Sequence, residues 1–329
     1  MGKNHKVIIA TRGSKLALYQ AEYVRSRLKE RSPDIEIELK KIKTTGDKIL
    51  DTPLAKIGGK GLFVKEIEEA LLRKDVDLAV HSMKDIPIDL PPGLCLAAIC
   101  EREDPRDAFI GQKSENVAAG FSLPFKDLPH GASIGTSSLR RSCQLLNLRP
   151  DLRIIQLRGN IDTRVRKLDE GQFDGIVVAV AGLKRLGMSH RITQILEPHI
   201  SIPAIGQGAI GIECRIDDEL INNLIAPLNH EETSICISAE RAFLRRLEGG
   251  CQVPIAAYAR IVKKSGSSLL SRHSLLVIDG LVGSISGDRI IKGRVEGNLE
   301  EAESLGVRLA EDLISRGAGK ILREIYFRR

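Results

Sequence analysis

The chain has 329 residues, of which 42% are apolar and 28% charged, a composition that fits two or three globular domains and excludes long disordered tracts. Aromatic residues reach only 3% and tryptophan is absent, which argues against broad base-stacking surfaces for single-stranded nucleic acid. The net charge of +7 is a moderate basic excess. Because no apolar run approaches the roughly 18 residues of a membrane span and no secretion signal is evident, we expect a cytoplasmic protein without a membrane partner.

The first hundred residues alternate predicted strands and helices. Strands are predicted at 7–11, 35–42 and 76–80 from β-branched runs and from apolar–polar alternation. A helix follows Ser14, which is a predicted N-cap, and a second helix is predicted to open at Gly61 with Phe63 on its apolar face. The order β-α-β-α-β predicts a parallel sheet with right-handed crossovers.

Residues 132–187 repeat this scheme. Strands are predicted at 132–136, 152–157 and 175–180, and Ser137 or Ser138 can cap the helix after the first of them. Two similar units predict two lobes. Segments 101–109 and 201–208 are the candidate connections between them.

The last hundred residues change character. A helix is predicted near 232–247, and strands at 255–262, 274–281 and 289–295 are separated by turns rich in serine and glycine. One long amphipathic helix is predicted to close the chain. Strands followed by a helix predict a small α+β domain.

Polar motifs follow the strands of both predicted lobes. In open parallel sheets the ligand crevice lies beyond the carboxyl ends of the strands, so these motifs are predicted to line one cleft between the lobes. The motifs are Arg12 with Ser14, Thr44 to Asp47, HSMKD (81–85), TSSLRR (136–141), RGN (158–160) and AGLKR (181–185). Each alone also has a structural explanation, because capping serines and turn glycines are needed in any α/β fold.

The cationic residues point to anion recognition. Seven arginines and no lysine lie between Arg140 and Arg166, with only two acids among them. A guanidinium fork binds carboxylate or phosphate in a bidentate manner, whereas a nucleic-acid backbone is usually bound by lysine and arginine together. The loop 57–61 lacks the spacing of a phosphate-binding loop. Lys60 within it and Lys56 just before it are therefore interpreted as part of a flap over an anion, or as a solvated loop.

Two further residues are chemical candidates. Asp85 can act as a general acid or base or stabilise a cation, and it can equally be a capping or ion-paired residue. Cys251 lies in a glycine-rich loop, where a thiol can be a nucleophile or simply inert. The six cysteines include no C-x-x-C pair, so we expect no metal site.

Nine segments, in order from about Ile8 to the C-terminal helix, together resemble the porphobilinogen deaminase (hydroxymethylbilane synthase) family. They are ATRGSKLAL, DTPLAKIGGKGLFVKEIEEALL, AVHSMKDIP, CEREDPRDAF, GTSSLRR, LRGNIDTR, AVAGLKRLG, PAIGQGAIGIECR and LEGGCQVPI.

The resemblance implies a transferase of tetrapyrrole (haem) biosynthesis that joins four porphobilinogen units into linear hydroxymethylbilane and releases ammonia at each addition. It implies a covalent dipyrromethane cofactor, linked by a thioether to Cys251, and Asp85 as the catalytic residue. It implies a flap with Lys56 and Lys60. The residues matching the family's binding contacts are Arg12, Ser14, Lys84, Ser138, Arg140, Arg141, Arg158, Arg164, Arg185, Phe63 and Gln207.

The implied fold is α/β, with two lobes like a type II periplasmic binding protein, a central cleft, and a smaller α+β C-terminal domain. The expected domains are 1–105 with 209–226, then 106–208, and then 227–329 bearing the cofactor loop. We expect porphobilinogen as the small-molecule partner, no nucleic-acid partner, and a monomer.

Two other functions remain open at this level. Two α/β lobes with a cationic cleft would also suit a non-enzymatic solute-binding module, which would release its ligand reversibly. The basic excess would suit a nucleic-acid binder with steep salt dependence, although no DNA-reading motif is present.

Overall fold

The structure is a computed structural model, and it describes residues 6–48, 61, 63–112, 122–249, 253–263 and 274–327. The chain divides into two compact units, Met1–Glu103 with Gly208–Ser234 and Asp104–Gln207 with Ile235–Arg329. Within the described ranges, no helix combines the length and the apolarity needed to cross a membrane. Cys251, Lys56 and Lys60 lie outside the described residues.

The first unit is a five-stranded sheet with helices on its faces. Its elements are β1 (Lys6–Thr11), α1 (Lys15–Arg31), β2 (Glu36–Lys41), α2 (Thr45–Lys48), α3 (Lys65–Leu72), β3 (Leu78–Ser82), β4 (Leu94–Ile99), β10 (Ile210–Arg215) and α7 (Glu219–Ile225). The strand order is β2-β1-β3-β10-β4. As predicted, β1 runs parallel to β2 and β3, whereas β10 runs antiparallel to β3 and β4.

Local sequence explains where the first two long helices begin. Ser14 caps α1, because its hydroxyl accepts a hydrogen bond from the Ala17 amide at 3.2 Å, and this confirms the predicted N-cap. The second predicted helix begins later than expected, at Lys65. Gly61 has a φ of +83°, so it makes a turn before α3, and Phe63 lies in that turn rather than on the helix face.

The second unit contains another five-stranded sheet. Its elements are β5 (Asp107–Gly111), β6 (Ser133–Gly135), α4 (Leu139–Leu148), β7 (Arg153–Ile155), α5 (Ile161–Asp169), β8 (Gly175–Ala179), α6 (Val180–Arg185) and β9 (Gln194–Leu196). The strand order is β7-β6-β8-β5-β9, with β6 parallel to β7 and β8 and with β5 antiparallel to β8 and β9.

The two sheets share one topology. The fourth strand in the order is β10 in the first sheet and β5 in the second. Each of these two strands is the first that the chain forms after leaving the other sheet. This is the type II periplasmic-binding-protein arrangement that the family resemblance implied. The segment 101–109, interpreted as a connection, contains the start of β5, because its apolar residues come only after the charged run.

The rest of the second unit is a small sheet covered by helices. Its elements are α8 (Glu231–Arg246), β11 (Ile255–Lys263), β12 (Ser274–Gly283), β13 (Ile290–Gly297), α9 (Ala302–Ser315) and α10 (Ala318–Phe327). The three strands form an antiparallel meander, and Phe243, Leu305 and Leu309 are buried in the core beside it. The prediction of one closing helix is wrong: Gly317, with a φ of +104°, separates α9 from α10.

Candidate active site

Asp85 lies at the carboxyl end of β3, in a single 3₁₀ turn of Met83–Asp85. The Met83 amide donates to the Ala209 carbonyl at 3.0 Å, which fixes the turn to the residue before β10. The Asp85 side chain is half-buried, and among the described residues it has no hydrogen bond or ion pair. Neither the capping nor the ion-paired role is therefore seen, and the carboxylate is available to a ligand. Lys84 beside it is also half-buried.

Arg12 is held rigidly at the end of β1. Its guanidinium contacts Asp47 at 2.5 Å and lies 4.3 Å above the centre of the Phe63 ring. Burial raises the pKa of Asp47, but hydrogen bonds from Arg12 and Thr44 outweigh burial and leave that pKa below its usual value. The arginine is thus pre-oriented by an ionised carboxylate and an aromatic face. Ser14 is two residues further on, at the N-terminus of α1.

In the second unit, Arg140 and Arg141 are both buried and share one carboxylate. Arg140 Nη1 lies 2.6 Å from Asp107 Oδ2, and Arg141 Nη2 lies 2.7 Å from Asp107 Oδ1. Burial raises the pKa of Asp107, but the two guanidinium charges hold it well below its usual range. Burial also lowers the pKa of Arg141. Two cations on one anion leave a net positive charge in the interior.

The carboxylate of Asp107 also accepts a hydrogen bond from Gln207, another predicted site residue. Gln207 Nε2 donates to Asp107 Oδ1 at 2.9 Å, and Ser201 Oγ donates to Asp107 Oδ2 at 2.8 Å. Arg140 Nε, which is buried, has no hydrogen-bond partner in the described part of the chain. One donor of this network is therefore left over.

Asp107 was missed as a functional residue by the sequence reasoning. It was visible as the second aspartate of DPRD, but the segment was interpreted as a connection and no partner could be assigned to it. The structure shows that it organises three of the predicted residues, namely Arg140, Arg141 and Gln207.

Arg158 is an unpaired cation near the carboxyl end of β7. It is half-buried, and within the described ranges its guanidinium has no hydrogen bond or ion pair. Burial lowers the pKa of this guanidinium. Arg164 lies on the following helix, and its Nε donates to the Gly159 carbonyl at 2.8 Å. A half-buried guanidinium without a counter-ion is best stabilised by an anionic ligand.

The remaining predicted residues of this sheet are at helix ends. Ser138 is the N-cap of α4, and its hydroxyl accepts from the Arg141 amide at 3.4 Å. Arg185 is half-buried in the last turn of α6. An N-terminus such as that of α4 adds oriented amide dipoles that favour an anion.

The predicted residues therefore fall into two sets, one on each unit. The first unit holds Arg12, Ser14, Phe63, Lys84 and Asp85, and the second holds Ser138, Arg140, Arg141, Arg158, Arg164, Arg185 and Gln207. Among the described residues, no three His, Cys, Asp or Glu side chains are grouped as ligands for a metal ion.

Two family models match the chain. The model described as "porphobilinogen deaminase, dipyromethane cofactor binding domain" matches residues 7–223, and the model described as "porphobilinogen deaminase, C-terminal domain" matches residues 234–315.

Solved structures are similar only at a distance. The periplasmic aliphatic sulphonate binding protein SsuA from Escherichia coli is 14% identical, with 75% of this chain and 71% of that chain covered and a TM-score of 0.39. A regulatory domain of OxyR2 from Vibrio vulnificus is 15% identical, with 69% and 97% covered and a TM-score of 0.40. At such scores the likeness decides nothing about function.

Replacing Asp107 tests its part in the network. Asp107→Asn leaves two buried guanidinium groups without their carboxylate, so we expect the free energy of unfolding to fall by about 3 to 5 kcal/mol. Asp312→Asn is the matched control, because it breaks an Asp–Arg pair whose side chains are each about half exposed, and it should cost less than about 1 kcal/mol. Urea unfolding measures both. Equal losses in the two variants would show that Asp107 does not stabilise the buried arginines.

Proposed function

The chain belongs to the porphobilinogen deaminase family, and we propose that the two sets of residues described above are its catalytic and binding residues. It is a transferase of tetrapyrrole biosynthesis that condenses four porphobilinogen molecules head to tail into linear hydroxymethylbilane and releases ammonia at each addition. The reaction is primed on a dipyrromethane cofactor, for which the larger matched domain is named.

The chemistry of one addition defines what the protein must stabilise. The bond between the methylene carbon and the amine of porphobilinogen breaks, and the amine leaves with its electron pair. A new carbon–carbon bond joins that methylene to a free pyrrole carbon of the acceptor, which loses a proton, so that ammonium is the net product. Positive charge develops on the incoming pyrrole as the amine leaves, and a fixed carboxylate beside it lowers the barrier.

Asp85 is the residue we assign to this role. The observation that supports the assignment is its half-buried carboxylate, which has no partner among the described residues at the end of β3. A carboxylate that is partly shielded from water and not already neutralised interacts strongly with a developing cation. It can also accept hydrogen bonds from pyrrole N–H groups and so orient the ring.

The cations are assigned to the acidic arms of the substrate. Each porphobilinogen ring carries an acetate and a propionate, so the growing chain is a polyanion. Arg158 is half-buried and unpaired within the described residues, so it is the strongest candidate for binding such a carboxylate. Arg12 is held by Asp47 with its planar fork already oriented, which reduces the entropy lost on binding.

The residues of the second unit fit the cofactor as well. A dipyrromethane also carries carboxylates, and Arg158, which has no partner among the described residues, is a donor that such groups require. We assign Ser138, Arg140, Arg141, Arg158, Arg164 and Arg185 to holding it, with Cys251 as the thioether attachment. When bound, the group supplies the pyrrole carbon to which the first substrate is added. Lys56 and Lys60 are assigned to the flap that the family resemblance implies.

Several expectations from the sequence stay predictions. These are the division into three domains, the monomeric state, the cytoplasmic location and the absence of a nucleic-acid partner.

Replacing the carboxylate of Asp85 tests its role most simply. Asp85→Asn keeps the shape of the side chain but removes its charge, so we expect turnover of porphobilinogen to fall by at least about 100-fold. The exposed Asp89 provides the control, because Asp89→Asn removes the same charge from the same segment. The assay is loss of Ehrlich-reactive porphobilinogen, with circular dichroism to verify folding. Near-normal turnover by folded Asp85→Asn would refute the assignment.

A second variant tests the guanidinium fork. Arg158→Lys keeps the positive charge and loses the bidentate geometry, so we expect kcat/KM for porphobilinogen to fall about tenfold. Arg166→Lys is the control, since Arg166 is paired with Glu170 on an exposed helix face. If the two variants have the same kcat/KM, Arg158 does not hold a substrate or cofactor carboxylate.

A further inference from the structure

Three buried titratable side chains meet behind the turn that carries Asp85. Glu68 on α3, His81 on β3 and Glu213 on β10 are 7%, 5% and 0% exposed. His81 Nε2 lies 3.1 Å from Glu213 Oε2. In the sheet register Glu213 is opposite Ala79, two residues before His81, so both side chains are on the face that packs against α3.

These groups are poorly satisfied by hydrogen bonds. Within the described residues, Glu68 Oε1, His81 Nε2 and both carboxylate oxygens of Glu213 lack a hydrogen-bond partner. His81 Nε2 and Glu213 Oε2 are therefore in contact at 3.1 Å without the alignment of a hydrogen bond. Burying two carboxylates in this way is costly unless protons and charge are shared among them.

The neighbouring charges do not relieve this group. Glu69 on α3 adds a further negative charge from the exposed side of the helix. Arg215 on β10 is already bound, through hydrogen bonds to the Leu71 and Val76 carbonyls and to Asp218 at 2.6 Å. On the adjacent strand β4, the nearby titratable group is the thiol of Cys95, whose pKa is raised by burial and by Glu213. Among the described residues, His81 is thus the basic side chain that faces the two carboxylates.

The protonation of Glu68 is poised near neutrality. Burial raises its pKa most, the negative charge of Glu213 raises it further, and His81 opposes them, with a resulting value of about 7. The group therefore exchanges a proton in the pH range in which enzymes usually work.

The group is continuous with the proposed catalytic turn. His81 precedes Asp85 by four residues, and β3 ends between them at Ser82. The Met83 amide is bound to the Ala209 carbonyl, and a Cβ at Gly211 would lie only 3.1 Å from Met83 Sδ. The pairing of β3 with β10 therefore places His81 close to Glu213 and also holds the Met83–Asp85 turn beside β10.

We infer that Glu68, His81 and Glu213 form a buried proton-sharing group that positions the Lys84–Asp85 turn and sets the negative charge behind it. Glu68 and Glu213 act through His81 and are positioning residues. The inference rests on the proposed role of Asp85. Loss of the Glu68 proton adds one negative charge on the Asp85 side of the developing cation, so turnover rises with pH through about 7.

The first test is the pH dependence of kcat. In the wild type we expect kcat to rise about fivefold between pH 6 and pH 8 with an inflection near the Glu68 pKa. Glu68→Gln cannot ionise, so its kcat should stay at the low-pH value and lose the inflection. The control Glu69→Gln removes an exposed charge from the next position and should keep it. An unchanged inflection in Glu68→Gln would overturn the inference.

The second test needs no substrate. With ¹³C-labelled glutamate, the Cδ resonance of Glu68 should show a step near pH 7 in the wild type and in Glu69→Gln, and that resonance should be missing in Glu68→Gln. Absence of the step in the wild type would overturn the proton-sharing group even if Asp85→Asn were inactive. Conversely, if Asp85→Asn retained turnover while the step was present, the proposed function of Asp85 would fail and the group itself would stand.

Thermal stability tests the titration of Glu68 independently of turnover. The pKa of Glu68 is about 7 in the folded chain against 4.5 for an ordinary glutamate, so the folded state binds this proton more tightly and loses that stability as pH rises from 4.5 through 7. Glu68→Gln should therefore raise the thermal midpoint relative to wild type at pH 8 and leave it unchanged at pH 5. A midpoint difference that does not depend on pH would contradict the titration.

Glu213 is tested by conservative rescue. Glu213→Gln should lower kcat about tenfold with KM for porphobilinogen within about twofold, because the turn is displaced and the binding arginines are not. Glu213→Asp keeps the charge and should recover part of kcat. If Glu213→Gln folds and its kcat and pH profile match the wild type, Glu213 has no positioning role.

Discussion

One buried carboxylate organises the cationic half of this protein. Asp107, at the start of β5, accepts hydrogen bonds from Arg140 and Arg141 on α4 and from Gln207. Two guanidinium groups on one carboxylate leave the region positive, yet each cation keeps a partner that makes its burial tolerable. The arrangement lets a folded domain keep positive charge inside, with a donor such as Arg140 Nε still unused.

The two units then have complementary electrostatic tasks. In the proposed function, the first presents Asp85, a carboxylate without a partner among the described residues, to the positive charge that develops on a pyrrole as ammonia leaves. The second presents guanidinium groups, Arg158 above all, suited to the acetate and propionate arms that every added ring brings. An enzyme that builds a polyanion through a cationic transition state needs both. In our inference, the buried group of Glu68, His81 and Glu213 adjusts the negative charge near Asp85.

The sequence predicted the parts of the fold that depend on local rules. The parallel strands, the Ser14 and Ser138 caps and the polar motifs after strands follow from short-range periodicity and capping, and the structure confirms them. Strands β4, β5, β9 and β10 were not predicted, because they are completed by long-range pairing. β10 also contains Glu213 and Arg215, which are buried, so the sequence of this strand lacks the apolar pattern of a buried strand.

The same limit applies to the site. Its arginines could be found because seven of them cluster in sequence, but their partners could not. The pairing of Arg140 with Asp107 spans 33 residues. The contact of His81 with Glu213 joins strands from the two separate segments that form the first unit. Spacing along the chain carries no information about such contacts, whereas the fold supplies them directly.

In the proposed function, the tetrapyrrole grows as an acidic chain attached to the protein through Cys251 and held by arginines. Intact-protein mass spectrometry of purified, active enzyme tests it most directly, beside Cys251→Ser prepared in the same way. We predict that the wild type is heavier than its translated chain by one dipyrromethane and that the variant has the bare mass. Fully active wild-type protein at the bare mass would contradict the account.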